Sequence, residues 1–230
     1  MSFNRDFNYP LYLVTDEGTS GEALQRLIHQ ALLGGVSIVQ VRHKNNNVRQ
    51  FIERAQIVKT LIDAFNADSL VDVKQATLKN NKVPLIINDR VDVALAVEAD
   101  GVHLGQSDMP VEIARRLMGN DKIVGLTVES PEQLQAAQTL DVDYVGISTI
   151  FNTATKLDTQ YQWEIAGLSN AVKQSNKPLV AIGGITDTNI AEIAQTGVPS
   201  IALVSAICQS CDPTKAAQEL KQLMLSHKSL

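Results

Sequence analysis

A run of apolar residues long enough to cross a bilayer is missing from this chain. A membrane helix needs ~18 or more consecutive, mostly apolar residues, and no stretch of the 230 approaches that. The opening MSFNRDFNYP lacks the apolar core of a secretory signal, so a cytoplasmic protein is expected. Excess basic charge is missing as well. With 20 Lys and Arg against 25 Asp and Glu, the formal net charge is −5, which argues against nucleic acid or an anionic membrane as partner. The cations are therefore local devices. Cysteine is scarce: Cys208 and Cys211 form CQSC, but no thioredoxin-like pattern surrounds them, and two thiols alone do not make a structural zinc site. The pair is read as incidental. What is present, 44% hydrophobic and 20% charged residues, suits a soluble globular protein with a sizeable core.

Short β-rich apolar runs alternate with longer segments of helical period. The runs are LYLVTD (11–16), SIVQVRHK (37–44), PLIIND (84–89), GVHLGQ (101–106), KIVGLTV (122–128), DYVGIST (143–149), PLVAIGGI (178–185) and SIALVSAI (200–207). Between them, segments such as EALQRLIHQALLGG and VRQFIERAQIVKTLIDAFN place apolar residues three or four apart. Eight β-then-α units in ~200–250 residues is the arithmetic of a TIM (β/α)8 barrel; a doubly wound sheet would have fewer strands and a switch point. The expectation is one domain over residues 1–230, with an insertion at about 66–82, where NADSLVDVKQATLKNNK exceeds the about two to six residues such a connection needs. That insertion precedes a strand, which places it on the N-terminal face with room for an extra helical turn. The polar stretch FNTATKLDTQYQW (151–163) follows the sixth strand and so belongs to the C-terminal face, where barrel active sites are built.

The strand ends gather the chemistry. In VQVRHKN (39–45) a period of two puts Gln40, Arg42 and Lys44 on one face and Val39, Val41 and His43 on the other. Arg and Lys are rarely buried without a partner, so this strand end is either solvated or faces an anion. Asn88, Asp89, His103, Gln106, Asp108 and Thr127 join from the next strands, and Thr153, Thr155 and Lys156 from the polar loop. Gly183, Gly184 and Ser205 come from the last two strands, where barrels commonly bind phosphate through backbone N–H groups. One group holds cations beside carboxylates; the other holds glycines and hydroxyls. Two anionic sites are suggested. Plainer roles remain open: Asp89 and Asp108 could cap helices, Thr186 could cap the helix after GGIT, and His103 could be a hydrogen-bonded core histidine.

Taken in order and spacing, VQVRHK, PLIINDR, ADGVHLGQSDMP, VGLTVES, DYVGISTIFNTATK, VAIGGIT and ALVSAI resemble the thiamine phosphate synthase family over essentially the whole chain. The resemblance implies a TIM barrel that joins a hydroxymethylpyrimidine diphosphate to a thiazole phosphate, giving thiamine phosphate and releasing pyrophosphate with Mg²⁺. Carried over by position, it implies that Gln40, Arg42, Lys44 and Lys156 hold the pyrophosphate. It further implies that Asp89 and Asp108 bind Mg²⁺, that Asn88 contacts the pyrimidine, and that Thr127 stands beside the departing pyrophosphate. Thr153, Thr155 and the backbone N–H groups of Gly184, Val204 and Ser205 would cradle the thiazole phosphate. The implied catalytic set is Arg42, Lys44, Thr127 and Lys156. The implied chemistry is dissociative: pyrophosphate leaves the CH₂ carbon, the aminopyrimidine stabilises the cation, and the thiazole nitrogen captures it, with no protein nucleophile. The partners implied are the two small substrates; a homo-oligomer is left open.

The chain departs from the family pattern at four places. His43 stands where Glu is usual, Thr127 where Ser is usual, Ser148 and Thr149 where Gly-Pro is usual, and Asn152 where Pro is usual. Two relatives compete with the synthase reading. A thiazole tautomerase would bind similar ligands but generally lacks the paired carboxylates and has His where Thr149 stands; a catalytically silent barrel would only bind thiamine phosphate.

Overall fold

Each short strand carries apolar side chains on both faces, and a parallel sheet of eight such strands buries both by closing on itself beneath a ring of helices. That is what forms. The computed structural model describes residues 7–45, 47–71, 82–152 and 161–226. Its elements run β1 (Leu11–Val14), α1 (Gly21–Leu33), β2 (Ile38–Val41), α2 (Val48–Val71), β3 (Leu85–Asn88), α3 (Val91–Ala96), β4 (Gly101–Leu104) and α4 (Val111–Met118). They continue as β5 (Ile123–Val128), α5 (Pro131–Ala137), β6 (Tyr144–Ser148), α6 (Glu164–Gln174), β7 (Leu179–Ile182), α7 (Ile190–Gln195), β8 (Ser200–Leu203), the one-turn α8 (Ser205–Cys208) and α9 (Pro213–Ser226). All pairings are parallel, and the ring closes where Leu11 of β1 meets Ile201 of β8. The chain is a TIM barrel.

Period-two alternation divides the buried residues into two cores. Leu11, Leu13, Val39, Val41, Leu85, Ile87, Val102 and Leu104 face outward and pack among the helices. Tyr12, Val14, Ile38, Ile86, Tyr144, Val180 and Ala202 fill the interior, with Phe7 among them. Phe7 stacks against Tyr144 at 4.7 Å and closes the N-terminal end.

The strands are mostly shorter than the runs read from the sequence: β1, β3, β4, β6 and β7 stop at Val14, Asn88, Leu104, Ser148 and Ile182, and β8 stops at Leu203, the last residues of its run, Ser205–Ile207, belonging to α8. The second strand ends at Val41 rather than Lys44, because the Arg42 N–H turns to the Thr15 side chain at 3.1 Å. Helix α2 runs on to Val71, taking in the first residues of the stretch expected as an insertion; residues 72–81 lie outside the described residues. The helix end is tied to β3 by Asn66, whose amide bonds both the C=O and the N–H of Val83, at 3.0 and 2.9 Å.

Candidate functional site

The C-terminal mouth is organised around the ends of β2, β3 and β4. Beyond Val41 the side chains keep alternating. Arg42 reaches Glu17 of the β1–α1 loop at 2.6 Å, Lys44 reaches Asp89 at 2.7 Å, and His43 turns outward onto Phe51 of α2 at a ring separation of 5.5 Å. The loop bearing Glu17 is held from behind by Arg54, which donates to the carbonyls of Asp16 and Thr19. A buried guanidinium thus positions an exposed carboxylate.

Asp89 takes φ = 63°, a left-handed conformation that a non-glycine residue adopts at a cost. Two backbone bonds, one of them to the next strand, hold it there. Its N–H bonds the His103 carbonyl at 2.7 Å, while the Arg90 N–H folds back onto the Asn88 carbonyl at 2.8 Å. This three-residue turn swings the carboxylate over the mouth. Asp108 arrives from the turn after β4, where the Gly105 N–H donates to its Oδ2 at 2.6 Å. The two carboxyl groups are close enough for Asp89 to disfavour the charged form of Asp108. Burial, followed by the nearness of Asp89, holds the Asp108 carboxyl above its ordinary range, with the Gly105 N–H and Lys44 opposing. Neither aspartate caps a helix: the N-cap of α3 is Arg90 and that of α4 is Pro110. Nor does Thr186 cap α7, whose N-cap is Asn189.

Two crowded carboxylates beside a lysine form a hard oxygen donor set. A small divalent cation fits it, since Mg²⁺ commonly takes one or two carboxylates and completes its shell with water and phosphate oxygens. Among the described residues no group of three or more His, Cys, Asp or Glu side chains is placed to hold a metal, so other ligands would come from substrate and water.

Gln40 is separated from the other residues of its strand face. It is only 5% exposed and lies below the mouth, its amide donating to the Tyr12 hydroxyl at 2.8 Å. Asn88 ends β3, also buried. Thr127 on β5 contacts His103 at 2.6 Å, and its carbonyl accepts from Gln106 at 2.6 Å. Thr153, Thr155 and Lys156 lie outside the described residues.

The ends of their loop are nevertheless placed. Ile150 and Phe151 donate to Ile182 and Gly183, at 3.0 and 3.1 Å, and Trp163 returns to bond Thr149 at 3.0 Å. Gly184 has φ = 67°, and a Cβ there would meet Asn152 O and Phe151 Cβ at 2.7 Å. Glycine is required by this close approach. Val204 and Ser205 follow β8 at the start of α8. In the closed ring, β7 lies four strands away from β3, so the glycine end and the carboxylate end face each other across the mouth.

Sequence reasoning missed Glu17, Tyr12 and Tyr144. The signal for the tyrosines was present: LYLV and YVGIS place both rings on inward positions of a period-two strand. Glu17 had no such signal, because only the barrel brings its loop to Arg42.

A family profile described as thiamine monophosphate synthase matches residues 11–75 and 70–207. The thiamine-phosphate synthase of Vibrio parahaemolyticus is 53% identical over 94% of this chain and 98% of its own. That of Clostridium novyi is 40% identical over 95% of this chain and 100% of its own. Among solved structures, the thiamine phosphate pyrophosphorylase of Pyrococcus furiosus superposes with a TM-score of 0.81 at 32% identity, covering 96% of this chain and 98% of that one. With the profile covering most of the barrel and these relatives matching almost end to end, the chain belongs to the thiamine monophosphate synthase family.

Proposed function

We propose that this barrel joins 4-amino-2-methyl-5-hydroxymethylpyrimidine diphosphate to 4-methyl-5-(2-hydroxyethyl)thiazole phosphate and releases pyrophosphate. The observation that carries the reading is the cluster of Lys44, Asp89 and Asp108, with Arg42 and Thr127 on neighbouring strand ends.

Arg42 and Lys44 hold the pyrophosphate, with Gln40 beneath them, and Lys156 joins them as a further cation. Both strand-two cations are paired with carboxylates, Glu17 and Asp89, so an incoming diphosphate exchanges one anionic partner for another rather than meeting bare charge. Asp89 and Asp108 are the residues that would hold Mg²⁺, which when bound supplies neutralisation of the diphosphate charge. Asn88 orients the pyrimidine. Gly184, Val204 and Ser205, with Thr153 and Thr155, hold the thiazole phosphate on the opposite side, which aims the thiazole nitrogen at the pyrimidine CH₂.

The C–O bond breaks with its electron pair going to the pyrophosphate, and the nitrogen lone pair forms the new C–N bond. No protein nucleophile or base is consumed. Catalysis is therefore positioning plus stabilisation of charge on the leaving oxygen. The test supplies both substrates with Mg²⁺ and follows pyrophosphate and thiamine phosphate together. Equal amounts of both products are expected. Thiazole isomerisation without pyrophosphate, or binding without either product, would replace this reading with a tautomerase-like or silent barrel.

A further inference from the structure

Below the mouth, five polar side chains from five strands form one unbroken line of hydrogen bonds through the barrel interior. Gln40 Nε2 donates to the Tyr12 hydroxyl at 2.8 Å. The Tyr12 and Tyr144 hydroxyls lie 2.9 Å apart, Tyr144 meets His103 Nδ1 at 2.8 Å, and His103 Nε2 meets Thr127 Oγ1 at 2.6 Å. The barrel leaves space for this line. A Cβ on Gly125 would lie 2.2 Å from the Tyr144 ring, and one on Gly146 would crowd His103 and Thr127 at 3.2 and 3.4 Å. Stacking of His103 on Tyr144, at 5.4 Å and 19°, fixes the imidazole plane.

The line has a direction. An amide nitrogen can only donate, so Tyr12 accepts from Gln40 and its single proton is directed to Tyr144. Tyr144 then gives its own proton to His103 Nδ1. Burial raises the pKa of both phenols above the ordinary value, so both remain protonated donors. With Nδ1 accepting, His103 carries its proton on Nε2 and donates it to Thr127 Oγ1. The reverse order would leave the fully buried Tyr12 proton without an acceptor, a full desolvation cost. Thr127, occupied from below as an acceptor, turns its own proton away from His103.

We propose that His103 is a positioning residue: fixed as the Nε2–H tautomer by Tyr144, it orients the Thr127 hydroxyl to donate to the oxygen that departs with pyrophosphate. This rests on the reading that Thr127 stands beside that leaving group. As the C–O bond breaks, its electron pair passes to the pyrophosphate oxygen, and Thr127 contributes a hydrogen bond while keeping its proton. The Gln40 amide, at the other end of the line, sets the polarity of the whole.

The test measures kcat and KM for the full chain, His103→Asn, His103→Gln, Thr127→Val and the His103→Asn/Thr127→Val double variant, together with imidazole ¹⁵N NMR of the unsubstituted protein. Misorientation of one group at the reacting centre costs up to about a hundredfold, so His103→Asn should lose about tenfold to a hundredfold in kcat with KM little changed. His103→Gln, which keeps a donor near the Nε2 position, should recover most of it. The double variant should fall no further than Thr127→Val alone, the non-additivity expected when one residue acts through the other. NMR should place the imidazole proton on Nε2. Multiplying losses in the double variant, no recovery with Gln, or a proton on Nδ1 would overturn the positioning role. Absent turnover by the unsubstituted protein would instead remove the synthase reading, and the role with it. Should His103→Asn fail to fold, Tyr144→Phe keeps the ring and removes the bond that fixes the tautomer. A mixed tautomer and reduced kcat are expected of it; an unchanged tautomer and rate would overturn the proposal.

Discussion

Asp89 and Asp108 crowd each other, with Lys44 and one backbone N–H among the described groups that offset it. Changing either to Asn removes a negative charge and, on the proposed reading, a ligand for Mg²⁺, while leaving the shape almost intact. Losing one preorganised electrostatic contact where charge develops typically costs ~10²–10³ in rate, so each variant should fall by about that order and partly recover at high Mg²⁺, as steady-state turnover against Mg²⁺ would measure. Stability should move the other way for Asp108→Asn. The folded protein raises the Asp108 carboxyl above its ordinary range, so this group's contribution to stability is fully present below the unfolded-state value and is lost as pH rises through the folded one. Without Mg²⁺, Asp108→Asn should therefore melt higher than the unsubstituted protein at neutral pH, and the gap should close on acidification. His43 gives a second case. Among the described residues both buried ring nitrogens lack a hydrogen-bond partner while the ring rests on Phe51, so His43→Leu removes an unsatisfied polar group. A gain of about 1 kcal/mol in unfolding free energy, with turnover within a few-fold, is expected from denaturant melts and steady-state assays.

Between elements, the lower turns are held by a different chemistry from the mouth. Arg115 of α4 is nearly buried and donates to Asp143 Oδ2 at 2.6 Å, to the Lys122 carbonyl at 2.6 Å and to the Asp141 carbonyl at 3.2 Å. Asp143 also accepts from the Val124 N–H at 2.8 Å, so one ion pair joins α4, the start of β5 and the turn before β6. Truncating one member leaves the other charge buried and uncompensated. Arg115→Ala should lose about 3–5 kcal/mol of stability, read from denaturant unfolding, while rate per folded molecule stays near normal because the pair lies at the end of the barrel away from the mouth. A rate loss larger than the folded fraction explains would show that this end communicates with the site.

For the whole molecule, closure of the ring separates catalysis from adornment. Helix α2 ends on the N-terminal face, where the Asn66 amide joins Val83 just ahead of β3. Loop length adds only slowly to closure entropy. Replacing residues 68–81 with a short turn should leave turnover within a few-fold and unfolding still cooperative, measured by steady-state assay and thermal melts. A loss of activity in a folded variant with unchanged ligand affinity would give the segment a role in catalysis or assembly.

Eight apolar runs separated by amphipathic segments were enough to specify the barrel, because period-two and period-3.6 burial patterns are written locally. The same local rule set the alternation of Arg42, His43 and Lys44, which continues past the end of β2. Whether Asp89 and Asp108 were helix caps or partners depended on geometry that no local pattern contains: the left-handed turn at Asp89 arises from a bond to His103 on the next strand. Likewise Gln40 belongs by sequence with the mouth cations, yet ring closure sets Tyr12 beneath it and draws its amide inward. His103, which sequence left between core residue and catalyst, gained its partners only when β5 and β6 brought Thr127 and Tyr144 to its two nitrogens. Hydrophobic periodicity is a property of consecutive residues, whereas a hydrogen-bond line through the barrel joins residues up to 132 positions apart, and only tertiary closure makes them neighbours.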